Sequence, residues 1–252
     1  MKEERVSFLN QRGRRLAGVI ARPDLGEAAA LVVMAHGMLS GKNSPKHVAL
    51  SRWLADRDIA SLRFDFTSRY ESEGPVEEMT YSQGVEDLRA AVSFGREALG
   101  SLPLGLHGSS MGGAVALLYA AQHGGVDAIS TIAAVGRPAA LWSDWLGTEG
   151  LACWEREGWT TFEDHRIPWT FYRDALSKDA IAAAARVRCP LLVIHGDADT
   201  IVPVGQAEAI HGAAPGPKRL VTIAGGGHRF DRPEELDRML REVSGWFAEH
   251  LL

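Results

Sequence analysis

Six short apolar runs punctuate this chain: Ala30–Ala35, Ile59–Phe66, Pro103–Leu106, Ala128–Ala134, Leu191–Ile194 and Arg219–Ile223. Each has the length and character of a strand buried on both faces. The residues between them predict helices over Lys46–Arg57, Tyr81–Leu99, Gly112–His123, Val204–Ala213 and Pro233–Leu252. In the second of these, Val85, Leu88, Val92 and Leu99 fall near one stripe, with Glu86, Asp87, Arg89 and Arg96 off it. Ahead of the first run, Val6–Leu9 and Leu16–Ala21 alternate around the turn-forming Asn10-Gln11-Arg12-Gly13, the pattern of an antiparallel hairpin. Alternation of this kind implies an α/β fold: a mostly parallel sheet, eight-stranded with the hairpin counted, carrying helices on both faces.

One segment breaks the rhythm. Residues 138–185 are too long for a plain crossover, and they hold Trp142, Trp145, Trp154, Trp159 and Trp169 of the chain's 7 tryptophans, with Phe162, Phe171 and Tyr172 beside them. The segment reads as a small helical cap inserted before the next-to-last strand, which leaves residues 1–137 and 186–252 as the core. The indoles are expected to form the cap's own core or to line an acyl or aryl pocket, with Trp142, Trp145 and Trp169 as pocket candidates.

Composition narrows the partners. Lys and Arg number 27 against 32 Asp and Glu, a net charge of −5, so no excess of positive charge is available for a nucleic-acid backbone. Ala28–Ala35, the longest apolar stretch, is far short of the roughly 20 residues that cross a bilayer. Met1–Arg5 is charged with no apolar region behind it, so no signal peptide is expected. Cys153 and Cys189 stand far apart and read as free thiols, which makes the cytoplasm the expected location. Oligomeric state stays open, a homodimer included.

The strongest local motif is G-x-S-x-G, as Gly108, Ser110 and Gly112, after an expected strand and at the start of an expected helix. A serine at so sharp a turn needs strained backbone, and only glycine-sized neighbours let the chain fold that tightly and leave Oγ exposed. The plain alternative is a glycine-rich connecting turn. A nucleophilic serine also needs a base, and the base an orienting acid. Asp199, with Asp197 as its rival, follows the next-to-last strand, and His228 follows the last. All three positions therefore lie beyond the carboxyl ends of parallel strands, where sites in such sheets form. His36, His107 and His195 read as strand-end residues that shape loops, and Asp231 as a residue starting the last helix before Pro233.

Other chemistries fail on their own terms. Gly41-Lys42 lacks the first glycine and the Ser/Thr of a phosphate loop, and no H-E-x-x-H, zinc-spaced Cys/His cluster or dinucleotide fingerprint occurs. No metal or other cofactor is expected.

The chain resembles the α/β-hydrolase superfamily, and within it small bacterial esterases of the cinnamoyl and feruloyl type. The resemblance spans essentially the whole chain. It rests on His36-Gly37-Met38, Arg63-Phe64-Asp65-Phe66, the Ser110 elbow, the His195-Gly196-x-x-Asp199-x-x-Val202-Pro203 block and Gly227-His228, all in the family's order. It implies Ser110 as nucleophile, Asp199 as acid and His228 as general base. Backbone amides of Met38 and Met111 would form the oxyanion hole, with His36 and Gly37 near the pocket. The implied activity is hydrolysis of small acyl or aryl esters through an acyl-Ser110 intermediate, rising with pH as His228 loses its proton. A thioesterase, an acylaminoacyl-type peptidase or a C–C hydrolase on the same triad are alternatives, as is a ligand-binding relative without catalysis. One departure stands out: Ser68 and Tyr70 occupy positions where relatives carry glycine in the loop after the Arg63–Phe66 strand.

Overall fold

The computed structural model describes residues 1–252 and opens with the expected hairpin, β1 (Lys2–Leu9) antiparallel to β2 (Arg15–Arg22). Then follow β3 (Ala30–Ala35), α1 (Pro45–Ala55), β4 (Ile59–Phe64), α2 (Tyr81–Leu99), β5 (Leu104–Ser109), α3 (Met111–His123) and β6 (Ala128–Ile132). Residues 138–185 contribute α4 (Pro138–Glu157), β7 (Trp159–Phe162), β8 (His165–Pro168), α5 (Trp169–Ala175) and α6 (Ala180–Ala184). The chain closes with β9 (Leu191–Gly196), α7 (Gly205–Ala213), β10 (Lys218–Ile223) and α8 (Pro233–Leu251).

Eight strands form one sheet in the order β1-β2-β4-β3-β5-β6-β9-β10. Pairing is antiparallel as far as β2–β4 and parallel from there on. Burial on both faces is visible in β3: Leu31, Val33 and Ala35 pack with α2 and α3, whereas Ala30, Val32 and Met34 pack with α1 and α8. The expected architecture is the one found, an α/β-hydrolase sheet with helices on both faces. No helix is long and apolar enough to cross a membrane.

β5 runs three residues past its expected end at Leu106, because His107 Nδ1 and Ser130 Oγ of β6 meet at 2.7 Å inside the sheet. Two polar residues that satisfy each other look, in sequence, like the end of a strand.

The 138–185 segment is not helical throughout. β7 and β8 form an antiparallel hairpin whose two turn residues, Glu163 and Asp164, have φ of 46° and 61°. That is the double left-handed turn hairpins favour, here without the usual Asn-Gly. Trp142 sits at the centre of this segment, its ring centroid 4.8 Å from that of Trp154 and 5.2 Å from that of Trp145. α6 packs in the helical layer between α3 and α7. Cys153 and Cys189 are free.

Candidate active site

The residues singled out in sequence converge at the carboxyl ends of β3, β5, β9 and β10. Ser110, between β5 and α3, has φ 54° and ψ −117°, a backbone form that L residues adopt only under strain. Its glycine neighbours are sterically required. A Cβ on Gly108 would lie 2.3 Å from the Gly112 carbonyl oxygen, and one on Gly112 would lie 2.1 Å from that of Ala35. The strand and helix therefore pack backbone to backbone around Ser110 and project its Oγ outward.

His228, after β10, brings Nε2 to 3.0 Å from Ser110 Oγ and Nδ1 to 2.8 Å from Asp199 Oδ2. With an ionised carboxylate on one side, Nδ1 carries the proton and Nε2 is free to accept from the serine hydroxyl. Asp199 is buried, and its Oδ1 accepts from the amides of Ile201 and Val202, each at 2.8 Å. Burial alone would push its carboxyl up, but hydrogen bonds from His195 and His228 hold it well below the usual carboxylate range. Its sequence rival Asp197 is turned elsewhere: Oδ1 accepts from the Gly225 amide, which braces the loop that carries His228.

Met38 and Met111 line the same cavity, and neither backbone amide is taken by another backbone carbonyl. Gly37 faces Ser110, with space for a Cβ 3.5 Å from the serine Cβ. The cavity encloses about 1070 Å³ and extends from these loops to Trp142, Trp145, Phe162 and Phe171 of the inserted segment.

Two pocket candidates lie outside that lining. His36 is buried and locks two loops together: Nδ1 donates to the Gly37 carbonyl at 2.7 Å, and Nε2 accepts from the Phe66 amide at 3.0 Å. Burial pushes its pKa down to about 4, so the ring is neutral and structural. Trp169 packs instead on Trp154 and Tyr172, at centroid distances of 5.6 and 5.0 Å. Asp231, expected to start α8, precedes the N-cap residue Arg232 and lines the cavity.

Sequence reading passed over a set of charged lining residues. Lys42 is buried against Asp65, with Nζ 2.5 Å from Oδ2, and also reaches Glu71 at 3.2 Å. Arg229 pairs with Glu163, linking the loop of His228 to the β7–β8 turn. Lys46, at the start of α1, completes the set. Only a three-dimensional juxtaposition distinguishes these from ordinary polar loop residues.

Residues 26–156 match the family model described as serine aminopeptidase, S33. The chain belongs to this family of serine hydrolases. This S33-family hydrolase is 28% identical over 235 residues to the uncharacterized protein YfhR of Escherichia coli K12, covering 89% of the chain and 73% of the relative. It is 26% identical over 277 residues to a monoacylglycerol lipase of Mycolicibacterium smegmatis, covering 97% of both. Among solved structures, Est1E from Butyrivibrio proteoclasticus with ferulic acid bound superposes with a TM-score of 0.87 at 20% identity, over 97% of this chain and 99% of that one. The esterase domain of a Rhodothermus marinus protein gives 0.77 at 26% identity over all of both chains.

Proposed function

We propose that this hydrolase is a carboxylesterase acting on small acyl or aryl esters with Ser110 as nucleophile. The observation that carries the reading is the unbroken hydrogen-bond chain from Ser110 Oγ through His228 to buried Asp199, opening on an aromatic-lined cavity. The curated lipase and the esterase domain among its relatives are consistent with ester substrates.

In this reading Ser110 Oγ attacks the ester carbonyl carbon while His228 Nε2 takes the hydroxyl proton. Asp199 holds the imidazole in the productive tautomer and stabilises its charged form. The carbonyl oxygen, now an oxyanion, is received by the Met38 and Met111 amides, at the end of α3 where the helix dipole is positive. The carbon–alkoxide bond breaks, and His228 returns the proton to the leaving alcohol. Water then attacks the acyl-Ser110 carbonyl, again giving its proton to His228. The carboxylic acid leaves and Ser110 is reprotonated. Residues 138–185 serve as a cap whose Trp142, Trp145, Phe162 and Phe171 receive the acyl or aryl group.

The test is turnover of 4-nitrophenyl acetate through octanoate and of methyl hydroxycinnamates, with native protein beside Ser110→Ala. The reading expects hydrolysis that falls by at least about 10³-fold in the alanine variant. Hydrolysis that survives the substitution, or none by the native protein, would overturn it.

A further inference from the structure

Three lysine or arginine side chains line the cavity, and two of them are already neutralised: Lys42 by Asp65 and Glu71, and Arg229 by Glu163. Lys46 is different. It has no carboxylate within 4.0 Å, although it is half-buried and lines the cavity that holds Ser110 and His228. Ser44 and Pro45 line the cavity beside it, so the positive end of α1 faces the same space.

An ammonium partly withdrawn from water without a counter-charge is costly, and proteins rarely keep one in a cavity without use. Burial pushes the Lys46 pKa down to about 8, which leaves the group charged at neutral pH. Asp231 and Asp199 act on it through space, and Arg229 opposes them. None of these supplies the missing partner. Asp199 is committed to His195 and His228, and Asp231, an exposed residue, stays more than 4.0 Å from the ammonium. The neighbouring imidazoles of His47 and His107 are buried and held uncharged.

We infer that Lys46 receives an anionic group of the substrate, so that the esters this site prefers carry a carboxylate or comparable negative charge on the acyl or the alcohol side. The inference deepens the esterase reading and rests on it. It fits the geometry in a specific way: Ser110 cuts the ester while the far end of the same molecule is held by Lys46 within one cavity. The aromatic wall of Trp142 and Trp145 then receives the apolar part between or beside the two polar ends.

Two matched ester pairs test the idea and distinguish the side that carries the charge. Mono-4-nitrophenyl glutarate is set against 4-nitrophenyl pentanoate, and 4-acetoxybenzoate against its methyl ester. For at least one pair, the anionic-to-neutral ratio of kcat/KM falls tenfold or more in Lys46→Gln and is largely retained in Lys46→Arg. Ratios that stay within threefold of native in both pairs overturn the inference. If native protein cuts none of these esters, the esterase reading fails and Lys46 is judged by binding alone. Calorimetric titration of Ser110→Ala protein with monomethyl glutarate and dimethyl glutarate then decides. Tighter binding of the monoanion, lost when Lys46→Gln is added, upholds it; no preference for the monoanion overturns it.

Discussion

His195 Nε2 lies 3.1 Å from Asp199 Oδ2, the same carboxylate oxygen that His228 Nδ1 reaches at 2.8 Å. The His195 ring is fully buried, and its Nε2 also faces the Val202 carbonyl at 2.8 Å. Both neighbours are acceptors, so Nε2 carries the proton. Asp199 is therefore held by two imidazoles and two backbone amides, and His195 is a positioning residue for it.

Replacing His195 by Leu removes one donor from a buried carboxylate and leaves the Val202 carbonyl unpaired, which should destabilise the fold by about 1–3 kcal/mol. A purely structural residue would do no more. Here the acid limb of the kcat/KM profile should also move to higher pH, because an Asp199 relieved of one donor pulls harder on the proton of the His228 imidazolium. His195→Gln, which can still donate, should recover most of both effects. Denaturant titration and a pH–rate series check them, and an unmoved acid limb would leave His195 with a structural role alone.

Strain at Ser110 makes a separate prediction. Its φ of 54° and ψ of −117° suit glycine and no other residue. Ser110→Gly and Ser110→Ala should both abolish ester turnover, yet the glycine variant should be the more stable by about 1 kcal/mol, the strain relieved less the backbone entropy glycine loses on folding. Equal denaturation midpoints would mean that the strain only matches the entropy glycine loses, and a less stable glycine variant would mean that the elbow stores none.

The same physics decides which parts of the fold and site the sequence alone makes legible. A strand buried on both faces must be apolar throughout, which makes Ala30–Ala35 legible, and the elbow glycines are legible because a side chain on either would run into backbone, that of Gly112 for Gly108 and that of Ala35 for Gly112. The β7–β8 hairpin was not readable, since its turn is made by Glu163 and Asp164 and its strands are short and largely exposed. Ser68 and Tyr70 are instructive in the other direction. They stand where the family resemblance leads one to expect glycine, and they take φ of 66° and 43°, the left-handed form that glycine adopts without strain. The Tyr70 ring packs over Gly41, where a Cβ would lie 2.5 Å from it. Lys46 was invisible for a plainer reason: a lysine near the start of a helix is ordinary until the cavity beside it is known.

Holding Lys46 charged should weaken the fold, in a pH window that follows from its lowered pKa. Folded, it titrates at about 8, while an unfolded lysine titrates near 10.4. Below pH 8 both states are protonated and the burial penalty is fully present. Between about pH 8 and 10.4 only the unfolded state binds the proton, so the penalty is relieved as pH rises. Lys46→Met should therefore raise Tm by about 2–4 °C at pH 7, with the advantage shrinking through that window. Thermal melts of both proteins from pH 7 to 10.5 check the trend, and a difference constant across the range would contradict it. Such a residue trades stability for binding, as functional groups commonly do.

The Arg229–Glu163 pair joins the loop of His228 to the β7–β8 turn, and both side chains line the cavity. They are 60% and 41% exposed, so the pair should contribute less than about 1 kcal/mol to stability. Its effect should instead fall on access. If the pair holds the hairpin over the cavity, Arg229→Ala and Glu163→Ala should each raise the ratio of kcat/KM for a bulky aryl ester to that for an acetate ester by about threefold. The double variant should go no further, because one interaction is lost in all three. Raising the salt to about 0.5 M should move the native ratio the same way, since an exposed pair is screened at that ionic strength. Ratios that differ between the two single variants would assign the effect to one side chain acting alone, and an unchanged ratio in both would show that the hairpin leaves entry unrestricted.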